Sequence, residues 1–253
     1  MFLPRVIPVL LLKGKGLVKS VKFKDPKYIG DPINAVKIFN DKKADELVFL
    51  DINASKENRI ISLDFVHKVG DEANMPFAVG GGIKTIQDIR SILENGAEKV
   101  VINTAAFENP EFIKKAVDAF GSSTIAVCLD VKKDFFGKYK LYFRNGRKKS
   151  KEDIIAFAEK MEQFGAGEII IQSVDKDGTY EGYDLELTKL ISKAVTIPVV
   201  ALGGASDYKD FNLAVNEGYA SAVAAGSIFV YHGPRKAVLI SFPTKIEINK
   251  IFD

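Results

Sequence analysis

The sequence contains one cysteine, Cys128, and two histidines, His67 and His232. A single cysteine cannot form an internal disulfide, so nothing indicates an oxidising compartment. Three such residues make a His/Cys metal site improbable, and no motif indicates a redox cofactor. No apolar run reaches the roughly 20 residues of a membrane-spanning helix. The N-terminal apolar run is short and lacks a small-residue cleavage site, so we interpret it as a buried strand and expect a cytoplasmic protein with no membrane partner.

Positively and negatively charged side chains are nearly equal in number. The chain has 36 Lys and Arg against 33 Asp and Glu, a formal charge of +3. An excess this small predicts no nucleic-acid partner, but it suits a phosphorylated small molecule. The 253 residues are 47% hydrophobic, which is enough for one barrel of the typical size of about 250 residues.

Eight short apolar runs alternate with amphipathic helical patterns such as 31–44, 85–97 and 108–121. The runs are continuous in Val, Ile and Leu, which is typical of parallel strands covered on both faces. The pattern predicts an α/β fold, a single (β/α)8 TIM barrel over residues 1–253. The runs are 5–12, 46–52, 75–81, 99–104, 123–131, 168–174, 197–204 and 221–227.

An internal repeat and one insertion modify this pattern. Residues 75–107 align with 197–229, with Asp88 on Asp210 and Phe107 on Phe229. The repeat predicts two half-barrels, at about 1–120 and 121–253. Residues 132–150 alternate around an Asn-Gly pair, which predicts a β-hairpin after strand five. The stretch VLLLKGKGLVKS (9–20), in contrast, is interpreted as a strand that runs into a glycine-rich basic loop.

Each half contributes a glycine-rich loop followed by a small polar strand end. Glycines let backbone N–H groups approach an anion closely, so these loops predict a ligand with two phosphates. Tight strand-to-helix turns without a ligand are the alternative. Lys19 would clamp an anion or be an ordinary solvated lysine. One predicted site comprises Gly82, Asn103 and Thr104; the other comprises Gly203, Gly204, Gly226 and Ser227, with Asp177 and Gly178 as contacts or as a turn and helix cap.

Asp130 ends strand five, where barrels place catalytic acids and bases. A capping or loop-fixing aspartate is the alternative. Alignment of strand one with strand five puts Leu11 where Asp130 stands, so only one half carries a carboxylate. Cys128 lies on the same face of the strand, and we interpret it as barrel filling because no histidine motif could activate it.

Four charged residues mark the opposite ends of the strands: Arg5, Glu46, Lys99 and Glu168. Inward-facing charges are costly unless they are paired. Their alternating signs predict a neutralising ring at the barrel bottom, and unrelated solvated charges are the alternative.

Four stretches (DELVFLDINAS, PFAVGGGIKTIQDIRSILENGAEKVVINTAA, GAGEIII with DKDGTYEGYD, and VVALGGA) resemble the cyclase subunit of imidazole glycerol phosphate synthase. The resemblance implies that a glutaminase docks on the N-terminal barrel face and that the four charged residues gate its ammonia. It also implies a bisphosphorylated ribulosyl substrate on the two glycine sites, with Lys19 and Asp51 as substrate-loop residues. Two aspartates carry that family's chemistry, and Asp130 matches one of them.

The chain departs from the family where the second aspartate would stand. Leu11 takes that position, Gly14 replaces a loop acid, Leu202 replaces a small hydroxyl residue and Gln172 takes a threonine position. The departures resemble second-copy cyclase-like proteins found with surface-polysaccharide genes, which are thought to supply ammonia to a sugar amidotransferase. The hypothesis is therefore an ammonia-channelling subunit. There are two alternatives: a working cyclase that uses another base, and a regulatory barrel. Whether the protein is an enzyme is therefore left open.

Overall fold

The computed structural model describes residues 3–252, and eight parallel strands form a closed ring at its centre. The last strand pairs with the first and the fifth with the sixth, so the ring has no open edge. The predicted (β/α)8 barrel is confirmed. The barrel strands, numbered one to eight, are Arg5–Lys13, Leu47–Asp51, Phe77–Gly80, Lys99–Ile102, Ile125–Lys133, Glu168–Ser173, Val199–Leu202 and Ala222–Ala225.

Helices follow the strands on the outside of the ring. Polar caps fix where they begin: Asp31 accepts a hydrogen bond from the backbone N–H of Asn34, which satisfies one of the free N–H groups of the first turn. This helix is shorter than the predicted 31–44 because Asp31 is its cap and Lys43 adopts a left-handed φ of 57°. The helices are Pro32–Asp41, Leu63–Glu72, Ile86–Glu94, Thr104–Glu108, Glu111–Phe120, Ile154–Gln163, Leu185–Ala194, Tyr208–Asn216 and Lys245–Phe252.

Repeat-related helices begin with the same local structure. Thr85 and Asp88 form a capping box at one helix, and Asp207 and Asp210 form a capping box at its repeat mate. In such a box the cap side chain and the third helical residue each bond the backbone N–H of the other. The repeated acids therefore mark repeated helix starts.

The barrel interior is filled by alternate residues of the strands. Because side chains alternate across a strand, Ile7, Val9 and Leu11 of strand one point inward together. They pack with small and branched side chains of the other strands, including Val48, Ala78, Val101, Cys128, Ile170, Val200, Leu202 and Ala224. Cys128 is thus part of this apolar filling.

Three hairpins extend from the carboxyl ends of the strands, and two were absent from the sequence prediction. The stretch after strand one is not a loop: Gly16–Val21 pairs antiparallel with strand one and with Lys24–Gly30. Strand five pairs with Tyr139–Phe143, which pairs with Lys148–Lys149. After strand eight, Tyr231–His232 pairs with Ala237–Val238. Within residues 3–252, no helix is long and apolar enough to span a membrane.

Candidate functional site

The carboxyl ends of the barrel strands surround a cavity of about 490 Å³. Ligand sites in barrels lie at this end, and the volume is in the range of small-molecule sites. The structure brings together in its lining every residue predicted for the upper end of the barrel. These are Leu11, Lys19, Asp51, Gly82, Asn103, Thr104, Asp130, Asp177, Gly178, Gly203, Gly204, Gly226 and Ser227.

Asp130 is a buried carboxyl group next to an apolar cavity floor. Burial raises its pKa to about 7, against a weaker opposing effect of a contact with Cys128, whose Sγ lies 3.8 Å from Oδ1. Burial, followed by the Asp130 charge, raises the pKa of the Cys128 thiol well above its usual value, so the thiol is not an activated nucleophile. Leu11, Leu50 and Leu202 supply hydrocarbon to the same cavity. A carboxyl group that titrates near neutral pH is suited to proton transfer, but Leu11 offers it no proton-carrying partner.

The raised pKa of Asp130 predicts a specific pH dependence of stability. Between pH 4 and 7 the folded chain holds a proton on Asp130 that the unfolded chain has lost, so stability falls as pH rises. Asp130→Asn should remove this slope and be more stable than wild type at pH 8 by roughly 2–4 kcal/mol. Denaturant titrations at pH 3.5 and pH 8 check this, with Asp118→Asn at an exposed helix position as control. Equal destabilisation at both pH values would contradict a buried Asp130 with a raised pKa.

Lys19 is buried in the cavity wall, which contradicts the solvated alternative. Its ammonium group donates to the backbone oxygen of Val9 at 2.6 Å, and a Cβ at Gly226 would collide with it. Gly226 is therefore needed for the close approach of Lys19, whether or not an anion binds there. Burial lowers the pKa of Lys19 to about 8, although the negative charge of Asp177 opposes the shift.

Asp177 faces the same corner from the loop after strand six. Gln172 Nε2 lies 3.4 Å from its Oδ1, while Oδ2 has no hydrogen-bond partner within residues 3–252. Burial raises the pKa of Asp177 to about 6, and Lys19 opposes the shift. This corner thus combines a cation, a carboxyl group and the backbone of the Gly203–Gly204 turn, which can bind polar groups of either sign.

The other predicted anion site lies across the cavity and already contains several internal contacts. Asn103 Nδ2 donates to the backbone oxygen of Cys128 at 2.9 Å. Gly82 has φ +73°, and a Cβ there would overlap the carbonyl of Arg59. Arg59 itself donates to Asp51 at 2.6 Å. The sequence analysis missed Arg59, because its position depends on how the loop after strand two folds back.

The turn 144–147 of the strand-five hairpin crosses above the cavity. Asn145 donates to the backbone oxygen of Ile52, on the far side of the mouth, and Arg144 Nε donates to Glu108 at 2.8 Å. Arg144, Asn145 and Arg147 line the cavity. The sequence analysis identified the hairpin but not its reach, since the turn is held by tertiary contacts alone.

Arg5, Glu46, Lys99 and Glu168 form a charged ring at the opposite end of the barrel. Arg5 bonds Glu46 and, at 3.0 Å, Glu168; Lys99 bonds the same two carboxylates at 3.1 and 3.0 Å. The pKa of Arg5 is raised because the attraction of Glu168 and Glu46 exceeds the lowering effect of burial. The four charges neutralise one another, and the solvated alternative is wrong.

A second cavity of about 10 Å³ lies on the barrel axis between the ring and the floor. Its volume is close to that of a single water-sized probe. Glu46, Lys99 and Glu168 border it, as do Leu50, Cys128 and Leu202 of the upper layer. Other inward-facing side chains of the barrel, such as Ile7 and Ala78, are buried. Within residues 3–252, no cluster of three or more His, Cys, Asp or Glu is placed to hold a metal ion.

Fold and cavity together define the class of (β/α)8-barrel proteins with a ligand-sized cavity at the carboxyl ends of the strands. The family described as histidine biosynthesis protein matches residues 5–234. The chain therefore belongs to the histidine biosynthesis protein family, and it is a HisF-like barrel.

Three relatives resemble nearly the whole chain. A Pseudomonas aeruginosa protein provisionally named imidazole glycerol phosphate synthase subunit hisF2 is 45% identical over 247 residues, 98% of this chain and 97% of the relative. A Vibrio vulnificus protein, provisionally named subunit hisF3, is 44% identical over 250 residues, 98% and 96% of the two chains. The imidazole glycerol phosphate synthase subunit HisF of Alkaliphilus metalliredigens is 47% identical over 232 residues, 92% of each.

Proposed function

We propose that this barrel is the ammonia-conducting partner of a glutaminase. The glutaminase docks at the end that carries the charged ring, and ammonia passes along the barrel axis. A separate amidotransferase then replaces the carbonyl oxygen of a sugar acetamido group with this nitrogen, which gives an acetamidino group for a surface polysaccharide. A nucleoside triphosphate consumed by that enzyme activates the amide, and the oxygen leaves as phosphate. The barrel itself need not form a bond in this scheme.

The observation that carries the proposal is the leucine at position 11. Asp130 lines the cavity beside Leu11, Leu50 and Leu202, and position 11 offers no carboxylate to pair with it. A cyclase that closes a ring needs proton donation and proton removal, and loss of one positioned acid or base costs about 10²–10⁴ in rate. Hydrocarbon cannot take over that role, but it does not hinder a neutral ammonia molecule.

The rest of the barrel supports conduction. The charged ring lies at one end of the barrel axis, and the small axial cavity leads from it toward the large cavity. Neutral ammonia fits a cavity of water size, whereas an ammonium ion would lose much of its hydration in the apolar interior. We infer that the ring opens by exchanging ion pairs when the glutaminase docks.

The two glycine-rich corners support a phosphorylated small molecule as a ligand of the large cavity. One corner offers Gly82, Asn103 and Thr104, and the other offers Lys19 with the Gly203–Gly204 turn. Both corners contain backbone N–H groups or a cation, which are the groups that bind phosphate. In this proposal the bound ligand acts as a signal that the large cavity is occupied, and it is not cyclised.

A working cyclase of histidine biosynthesis is the second candidate, and one observation favours it. Asp130 is retained, with a pKa of about 7, which suits a general acid or base at neutral pH. Lys19 or Asp177 would then have to replace the missing carboxylate at position 11.

Isotope tracing tests the proposal. Glutamine labelled with ¹⁵N in its amide group, a HisH-type glutaminase, the barrel and a sugar amidotransferase are combined with an acetamido sugar nucleotide and a nucleoside triphosphate that activates the amide. We expect labelled amidine only when the barrel is present, while added ammonium salt supports the reaction without it. Equal labelling in the absence of the barrel would overturn the proposal.

A further inference from the structure

Exposed apolar side chains are concentrated around the mouth of the large cavity. Among residues 3–252, ten large apolar side chains are exposed, and six of them lie on the three hairpins that follow strands one, five and eight. Scattered exposed apolar residues are ordinary, but a concentration at one end indicates an interaction surface. The six are Val21, Tyr28, Phe135, Phe136, Val238 and Leu239.

Phe135 and Phe136 form the tip of the strand-five hairpin. They are 98% and 83% exposed, and their rings meet edge to face at 5.6 Å. Hydrogen bonds close the tip turn: the Asp134 side chain accepts from the backbone N–H groups of Phe136 and Lys138. Two phenylalanines that point outward leave apolar surface exposed to water, which is unfavourable, and they pack against nothing else within residues 3–252. They are therefore suited to fill a pocket on another molecule.

The hairpin is also strongly basic. Residues 132–151 contain nine lysines and arginines and one acid, Asp134. Lys138 and Lys149 are exposed and make no ion pair with any residue from 3 to 252. An acidic protein surface complements this charge, which would steer the encounter of the two proteins.

The hairpin connects this tip to the cavity. Phe135 follows Asp130 by five residues, so the tip lies at most about 17 Å beyond the cavity floor. The other arm carries Asn145, which bonds Ile52 across the mouth. A protein bound to the tip therefore lies against the cavity mouth, where ammonia would leave the barrel.

We propose that this hairpin docks the protein that accepts the ammonia, through an acidic surface on that protein with an apolar pocket for Phe135 and Phe136. The inference rests on the proposed function and adds the place and chemistry of the contact. An anionic membrane would also attract Lys and Phe. The continuity of the hairpin with the cavity favours a protein that closes the mouth.

The test compares Phe135→Ser/Phe136→Ser with wild type in the labelled-glutamine assay. We expect at least a tenfold loss of glutamine-driven amidination, with unchanged ammonium-driven amidination and an unchanged melting temperature. Lys138→Glu/Lys149→Glu should weaken co-purification with the amidotransferase. Ile246→Ser, an exposed apolar position on the last helix, is the matched control and should behave as wild type.

The outcomes separate the two proposals. If both double variants support glutamine-driven amidination as well as wild type does, the docking site is overturned and the proposed function is intact. Absence of glutamine-driven coupling in wild type overturns both. Sedimentation with vesicles containing 30% phosphatidylglycerol that depends on Phe135 and Phe136, together with normal coupling in the double variant, assigns the tip to a membrane and overturns the inference.

Discussion

With saturating ammonium and the bisphosphorylated ribulosyl substrate, the wild-type barrel should turn over at least about 100-fold more slowly than a HisF cyclase with both aspartates. Saturating ammonium at alkaline pH removes the need for a glutaminase, so only the chemistry of the barrel is measured. The reason is the missing carboxyl group at position 11: Asp130 can donate or accept one proton, and Leu11 cannot complete the cycle. Formation of the cyclised product is the measurement.

Two variants show whether Leu11 is the cause. Leu11→Asp should raise turnover, and Leu11→Asn is the control that adds polarity without a titrating proton. Wild-type turnover within about tenfold of the cyclase would contradict the proposal. It would mean that another group in the cavity lining, such as Lys19 or Asp177, serves as the second acid or base.

The barrel could be predicted from sequence because its signals are local and repeated. Eight continuous apolar runs, together with the repeated acids Asp88 and Asp210, specify strands and helix starts without reference to distant residues. The closed ring then follows from topology. That closure brings Gly82 and Gly204 to one cavity although 122 positions separate them.

The missed features depend on tertiary contacts. The strand Gly16–Val21 is only six residues long, and it pairs with strand one only because strand one extends beyond the barrel. The burial of Lys19 requires Val9 and Gly226, which lie ten positions before it and at the far end of the chain. The crossing of Asn145 to Ile52 has no local pattern at all. Lys19, Gly226, Asn145 and Ile52 all line the cavity, so its shape depends on these contacts.

The charged ring should be the most sensitive site for stability. Glu46 and Glu168 have side chains only 8% exposed, and each contacts both Arg5 and Lys99. Lys99→Met leaves two buried carboxylates sharing one guanidinium. Loss of one partner of a buried pair costs about 3–5 kcal/mol, and the partial solvation of Lys99 favours the lower end. We expect the melting temperature to fall by roughly 6–12 °C, as measured by calorimetry.

Removal of one positive and one negative charge together should recover most of the stability that Lys99→Met loses. Lys99→Met/Glu168→Leu leaves Arg5 with Glu46 as a neutral pair, and hydrophobic replacement of a buried ion pair is often neutral or stabilising. The double variant should therefore be more stable than Lys99→Met. Lys68→Met, which breaks the exposed pair with Asp64, should leave the free energy of unfolding nearly unchanged, because solvent screens such a pair.

The same variants separate stability from conduction. In the labelled-glutamine assay, run well below the melting temperature of every variant, Lys99→Met/Glu168→Leu should remain folded but lose glutamine-driven delivery. The apolar pair can no longer exchange partners when the glutaminase docks. Ammonium-driven amidination, which bypasses the barrel, should be unaffected. A stable double variant that delivers glutamine nitrogen as well as wild type would show that the ring closes the barrel without gating it, and the conduction pathway would then have to enter elsewhere.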